Sequence, residues 1–244
     1  MKVFLASACS KKHLYNDIQN SPYLLESFYY YQDWEDVLLE TSKMFLLDSG
    51  AFTFMNNSKS VDFDLYLDKY IDFIIEKNIK YFFELDIDSI VGYKKVLQLR
   101  ERLERKTGRK CIPVWHKSRG LEEYKKICKE YDYIAIGGIV TNEIKRNEYK
   151  YFDQLLTIAR KNKCKVHGLG FTNMKMLYKY PFYSVDSSSW VNGARFGQFH
   201  LFSNNTIIQK SFKETKRAKG KELDKHNLSQ WIKFQNYADK FIGG

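Results

Sequence analysis

Eight short apolar runs, each followed by small or polar residues and then by a stretch of helical periodicity, set the tightest limit on this chain. The runs are 2–7, 44–47, 81–85, 111–115, 133–136, 165–168, 182–185 and 196–202. Between them, apolar residues recur at i, i+3, i+4 and i+7, the pattern of helices that bury one face. Over 64–77 the stripe is Leu67, Tyr70, Ile71, Ile74 and Ile75; over 92–106 it is Val96, Leu99 and Leu103, with Gly108 placed to stop the helix. Segments 121–130 and 147–161 behave likewise, the latter through Phe152, Leu155, Leu156 and Ala159, and 228–241 predicts a closing helix with Trp231, Phe234 and Tyr237 inward. Alternating strands and helices imply parallel pairing through helical crossovers. The expected fold is α/β, a compact (β/α)8 TIM-like barrel, with an open doubly wound sheet as the alternative. The 244 residues are close to the roughly 250 of such a barrel, so 1–244 is expected to be a single domain.

The net charge of +11 creates a field that attracts polyanions. A coding bias toward Lys, Asn, Ile and Tyr would give the same composition, so charge is compatible with a nucleic-acid partner without requiring one. The most basic stretch is 210–225, with Lys210, Lys213, Lys216, Arg217, Lys219, Lys221 and Lys225; it reads either as a solvated helix face or as a polyanion contact. Cys9, Cys111, Cys128 and Cys164 are widely spaced and provide neither a zinc motif nor a disulfide framework. No metal and no cofactor are expected. The first residues run too quickly into charge for a signal peptide, and no window approaches a membrane span. A cytoplasmic protein, in a bacterium or a phage-infected host cell, is the expectation.

In a βα barrel the chemistry gathers where the strands end, because those ends share one mouth. The residues there are Asp48-Ser49-Gly50-Ala51-Phe52, Glu84-Leu85-Asp86-Ile87-Asp88, Trp115-His116-Lys117, Gly137-Gly138, His167-Gly168-Leu169-Gly170-Phe171, and Asp186 through Trp190 to Gly193-Ala194-Arg195. Three carboxylates, Asp48, Asp86 and Asp186, are then expected to converge. One can attack an anomeric carbon while another manages protons, and the negative oxygens stabilise an oxocarbenium-like transition state. Each Asp taken singly also fits a helix N-cap. Gly137 and Gly138 would let backbone amides approach a planar ligand, or simply make a tight turn. His116 and His167 read as bases, as hydrogen-bond donors or as satisfied core residues, and Phe52, Phe171 and Trp190 as stacking rings or core.

These strand ends resemble the tRNA-guanine transglycosylase superfamily, including its DNA-modifying branch, the DpdA-type proteins that install 7-deazaguanines. Asp48-Ser49-Gly50-Ala51-Phe52 is similar to that family's DSGGFQ motif, and Asp86 falls where the family keeps an Asp that reads the guanine edge. Ala135-Ile136-Gly137-Gly138-Ile139 resembles its A-x-GG-L strand end, and His167-Gly168-Leu169-Gly170 its M-G-V-G turn. In the family a nucleophilic Asp is followed eight and nine residues later by Ala-Arg, as Asp186 is here by Ala194-Arg195. The matches keep their order from Asp48 to Arg195. The family's tRNA enzymes are longer and carry a C-terminal Cys/His zinc site, whereas no cysteine follows Cys164 here, and Ser189-Trp190-Val191-Asn192 stands where the family has Pro-Thr-Arg.

The resemblance implies exchange of a guanine in DNA for a 7-deazaguanine base of the preQ0 type. Asp186 would be the nucleophile, Asp48 the proton carrier, Asp86 the reader of the base edge and Arg195 a backbone contact. Ser49, Gly50, Phe52, His116, Gly137, Gly138, His167, Gly168 and Trp190 would line the substrate. Transfer RNA as substrate, N-glycosidic hydrolysis without re-insertion, and a silent barrel that only binds nucleic acid are the alternatives. The oligomeric state is left open.

Overall fold

The computed structural model describes residues 1–50, 53–54, 61–211 and 220–243, apart from the side chains of Met174, Ala194 and Arg195. Seven parallel strands form a curled sheet in the order β3-β2-β1-β7-β6-β5-β4. They are β1 (Lys2–Ala6), β2 (Tyr23–Ser27), β3 (Met44–Asp48), β4 (Val114–Trp115), β5 (Tyr133–Ile136), β6 (Lys165–Gly168) and β7 (Ser184–Ser187). Two further parallel bridges, Leu47 to Phe82 and Phe83 to Ile112, lie beyond its two edge strands. The crossovers carry helices α1 (Asp36–Thr41), α2 (Phe63–Glu76), α3 (Tyr93–Thr107), α4 (Gly120–Glu130) and α5 (Tyr151–Lys161); α6 (Ser189–Arg195) and α7 (Gly220–Phe241) follow β7. No helix among the described residues is long and apolar enough to cross a membrane.

Side-chain alternation along the strands sorts the core into two parts. Phe4, Ala6, Tyr23, Leu25, Met44, Leu46, Phe83, Ile112, Val114, Tyr133 and Ala135 form one buried cluster inside the curl. The alternate residues, among them Val3, Leu5, Leu24, Phe45, Leu47, Ile134 and Val185, pack with the helices in the larger cluster. The expected helices are present, and α2 shows why: Asp62 caps it through hydrogen bonds of 3.0 Å from the Asp64 and Leu65 amides, and Leu67, Tyr70, Ile71 and Ile74 bury its inner face. Tyr70 then ties two staves together, its hydroxyl donating to the Leu47 and Phe83 carbonyls.

Three strand expectations are corrected, and one strand is added. Strand β2 was not foreseen, and it fills the place between β1 and β3. The run 81–85 forms bridges at Phe82 and Phe83 rather than a continuous strand. The run at 182–185 is displaced: β7 spans Ser184–Ser187, so Asp186 lies inside it. The run 196–202 is no eighth parallel strand. Its residues belong to β8 (Gln198–Ser203), which pairs antiparallel with β9 (Thr206–Ser211) in a separate two-stranded sheet. The cause is local. Asn204 and Asn205 both take positive φ, 50° and 63°, which turns the chain straight back as a hairpin. The closing helix begins earlier than expected, at Gly220, and Trp231 and Phe234 are buried on it. In the basic stretch, Lys210 lies on β9 and Lys221 and Lys225 on α7, while Lys213, Lys216, Arg217 and Lys219 lie outside the described residues.

β2 also buries an acid. Glu26 accepts from the Ala8 and Cys9 amides at 2.7 and 3.3 Å, and the charge of Glu35, equally buried, acts on it. Burial pushes both carboxyls up, Glu26 well above its ordinary range and Glu35 from 4.5 to about 7. The folded state therefore favours the protonated pair. That stabilisation is complete below the ordinary carboxylate range and is lost as pH rises through about 7. Chemical denaturation is expected to show a loss on the order of 2 kcal/mol between roughly pH 5 and pH 8, flattened in Glu35→Gln. An equal slope in wild type and variant would disprove the assignment.

Candidate active site

Asp48 ends β3 and is the register partner of Ser27 on β2. Its Oδ2 accepts from the Gly50 amide at 2.9 Å. Burial pushes its carboxyl from 3.8 up to about 6; the Gly50 amide opposes the shift, and the negative charges of Asp86 and Asp186 add to it. The other two acids singled out in the sequence are thus near enough for their charges to reach Asp48. The serine beside Asp48 faces elsewhere in its bonding: Tyr66 donates to the Ser49 carbonyl at 2.5 Å, while the buried Ser49 hydroxyl has no partner among the described residues.

Asp86 is held by His116, whose Nε2 lies 2.8 and 2.9 Å from its two oxygens. The other ring nitrogen, Nδ1, lies 3.0 Å from Glu143 Oε2. Carboxylates at both nitrogens require both to donate, which only imidazolium does. Burial alone would lower the pKa of His116, but the hydrogen bond and charge of Asp86, with Glu143 in support, carry it to about 9. Glu143 is fixed by the Ser118 amide at 2.7 Å, and it packs against Gly138. Gly137 is required here by contact: a Cβ on it would come within 2.6 Å of His116 Cε1.

Asp186 is anchored through one oxygen. Its Oδ1 lies 2.6 Å from the Gly170 amide and 3.1 Å from His167 Nε2, and Oδ2 has no hydrogen bond among the described residues. His167 is fully buried, with Nδ1 2.7 Å from Ser184 Oγ, which in turn lies 2.6 Å from the Tyr133 hydroxyl. With His167 carrying its proton on Nε2 alone, donation runs from Tyr133 to Ser184, to His167, to Asp186. Gly170 aims its amide at the carboxylate from φ +66°, with Val140 where a side chain would sit.

Other predicted site residues take structural positions. Trp190 is fully buried, its indole donating to the Ala6 carbonyl at 2.9 Å, so its ring has no face open to a ligand. Phe171 is enclosed by Phe152, Phe182 and Tyr149, and Gly168 packs on Phe171 and Phe182. Glu84 is a buried scaffold acid, accepting from Arg100 at 2.6 Å and from the Val114 amide at 2.8 Å. Phe52 lies outside the described residues, as does the side chain of Arg195 on α6. Glu143, Ser184 and Tyr133 were not foreseen.

Asp86, Asp88 and His116 place potential ligand atoms within 4.8 Å of one another. Arg119 already lies 2.9 Å from Asp88 and 3.6 Å from Asp86, so a cation there would meet a buried guanidinium. The donor set favours an ion-paired network over a metal centre. No family model matches the chain, and no curated protein matches it.

The mutual influence of the acids is measurable. Carbon-detected NMR titration is expected to place the Asp48 midpoint near 6, and Asp186→Asn is expected to lower it toward 3.8 by removing a nearby negative charge. A midpoint unmoved by that substitution would place the two carboxyls apart.

Proposed function

We propose that the protein is a nucleic-acid guanine transglycosylase that exchanges a guanine in DNA for a 7-deazaguanine base through a covalent Asp186 intermediate. The observation that carries this reading is the division of labour among three acids in one mouth. Asp186 has one oxygen tied and one without a hydrogen bond among the described residues, Asp48 is poised near 6, and Asp86 is clasped by an imidazolium. The sequence resemblance runs through the same residues. The two parallel bridges through Phe82 and Phe83 support a fuller architectural reading, in which the sheet closes as an eight-stave barrel around this mouth.

In this reading the target base leaves its stack and enters the mouth, at a cost of roughly a few kcal/mol. Asp186 Oδ2 attacks C1′ as the C1′–N9 bond breaks, and Asp48 gives a proton to the departing guanine. The incoming 7-deazaguanine returns a proton to Asp48, its N9 bonds to C1′, and the C1′–Oδ2 bond breaks. Two inversions give net retention. Asp86 accepts from the N1 and exocyclic amine of the base. Lysine contacts to phosphates make binding salt-sensitive. The chemistry needs no cofactor.

Because Asp48 donates in the first half and accepts in the second, the two half-reactions have opposite pH dependence. Adduct formation on a denaturing gel is expected to fall as pH rises through about 6, and release by added base to fall as pH drops through the same value. Asp186→Ala is expected to abolish both the adduct and incorporation of labelled 7-deazaguanine, a loss of at least about a thousandfold. Full exchange by that variant would remove Asp186 as nucleophile. Duplex DNA and tRNA assayed side by side identify the substrate.

A further inference from the structure

The segment after β2 reads Phe28-Tyr29-Tyr30-Tyr31, and Phe28–Tyr30 forms a single 3-10 turn. At three residues per turn, positions 28 and 31 fall on one side. Phe28 packs on Tyr66, Tyr70 and Phe73, and Tyr31 packs edge-on to Phe73, so that side is spent on α2. Tyr29 and Tyr30 are thereby turned outward and stand 44% and 52% exposed. Their rings meet edge to face at 4.9 Å, and Phe54 braces Tyr29 at 5.4 Å.

This pair adjoins the acids. A Cβ on Gly50 would lie 2.6 Å from Tyr29 Cβ, and the Gly50 amide is the donor to Asp48. Ser27, two residues before Tyr29 and the register partner of Asp48, keeps a buried hydroxyl that no group among the described residues satisfies. The mouth therefore has, on its β2 side, two presented rings and an unused hydroxyl.

We propose that Tyr29 and Tyr30 form a stacking subsite for the nucleobase next to the target nucleotide in a DNA strand. The inference rests on the nucleic-acid part of the reading above, not on the exchange chemistry. Extrusion of a base deprives its neighbour of a stacking partner, and a rigid aromatic ring replaces that contact whatever the sequence. The net charge of +11 favours a polyanionic strand over a neutral ligand of the same shape.

The test is fluorescence anisotropy of a labelled single-stranded DNA 12-mer with one guanine, titrated with the full chain at fixed salt. Tyr29→Ala with Tyr30→Ala is expected to weaken binding about 5- to 150-fold, and the paired Phe variants to restore it. An abasic site beside the guanine is expected to weaken wild-type binding similarly and to leave the double Ala variant nearly unaffected. Thermal melts of each variant separate a lost contact from a lost fold. Equal affinity of wild type and a folded double Ala variant overturns the subsite, as does tyrosine dependence seen only with RNA of the same sequence. If Asp186→Asn and wild type bind alike with tyrosine dependence, yet neither forms an adduct, the subsite stands and the exchange chemistry falls.

Discussion

Like charges crowded into one mouth are the constraint that the rest of this structure answers to. The negative charges of Asp86 and Asp186 bear on Asp48, and each of the three acids is held by different means. Asp48 takes up a proton more readily, at about 6, chiefly because it is buried, with the charges of Asp86 and Asp186 adding to the shift. Asp86 is paired with an imidazolium that Glu143 holds from behind. Asp186 rests on a backbone amide and on a buried chain from His167 through Ser184 to Tyr133. Three acids of one residue type thus sit in three different electrostatic settings.

The supports reach far from the acids. Arg119 bridges toward Glu84, Asp86 and Asp88 while lying 4.3 Å from the centre of the Tyr93 ring, and Arg100 holds Glu84 from α3. A guanidinium between carboxylates limits the net negative charge on that side, so the mouth remains acidic without becoming uninhabitable. Removing one member of such a buried network leaves the others uncompensated, which costs more than the pair itself contributes.

Much of this was legible in the sequence, and the failures have physical causes. The strand-end aspartates were visible because a short apolar run followed by an acid and small residues marks a staved sheet's mouth. Strand β2 was not, because Glu26 interrupts its apolar run, and that acid is buried with its pKa raised and with the Ala8 and Cys9 amides donating to it. The parallel reading of 196–202 ignored the Asn204-Asn205 turn, whose positive φ values decide the pairing before any tertiary contact does. Trp190 was given a ligand-facing role from its position near Asp186, yet the bond to the Ala6 carbonyl turns it into the core. His167 was named but not its partners. Ser184 and Tyr133 reach it only because β5, β6 and β7 pair in one register, with Ala135 opposite His167 and His167 opposite Ser184.

That register has a consequence for how the chain is made. β1 lies between β2 and β7, pairing Lys2 with Ser184 and Phe4 with Asp186. β1 is therefore made well before one of its two neighbours and must wait for it until nearly the whole sheet has been synthesised, with a backbone edge open in the meantime. Asp186 arrives on that same late strand. Asp48, made early, therefore gains Asp186 as a neighbour only once β7 has docked on β1.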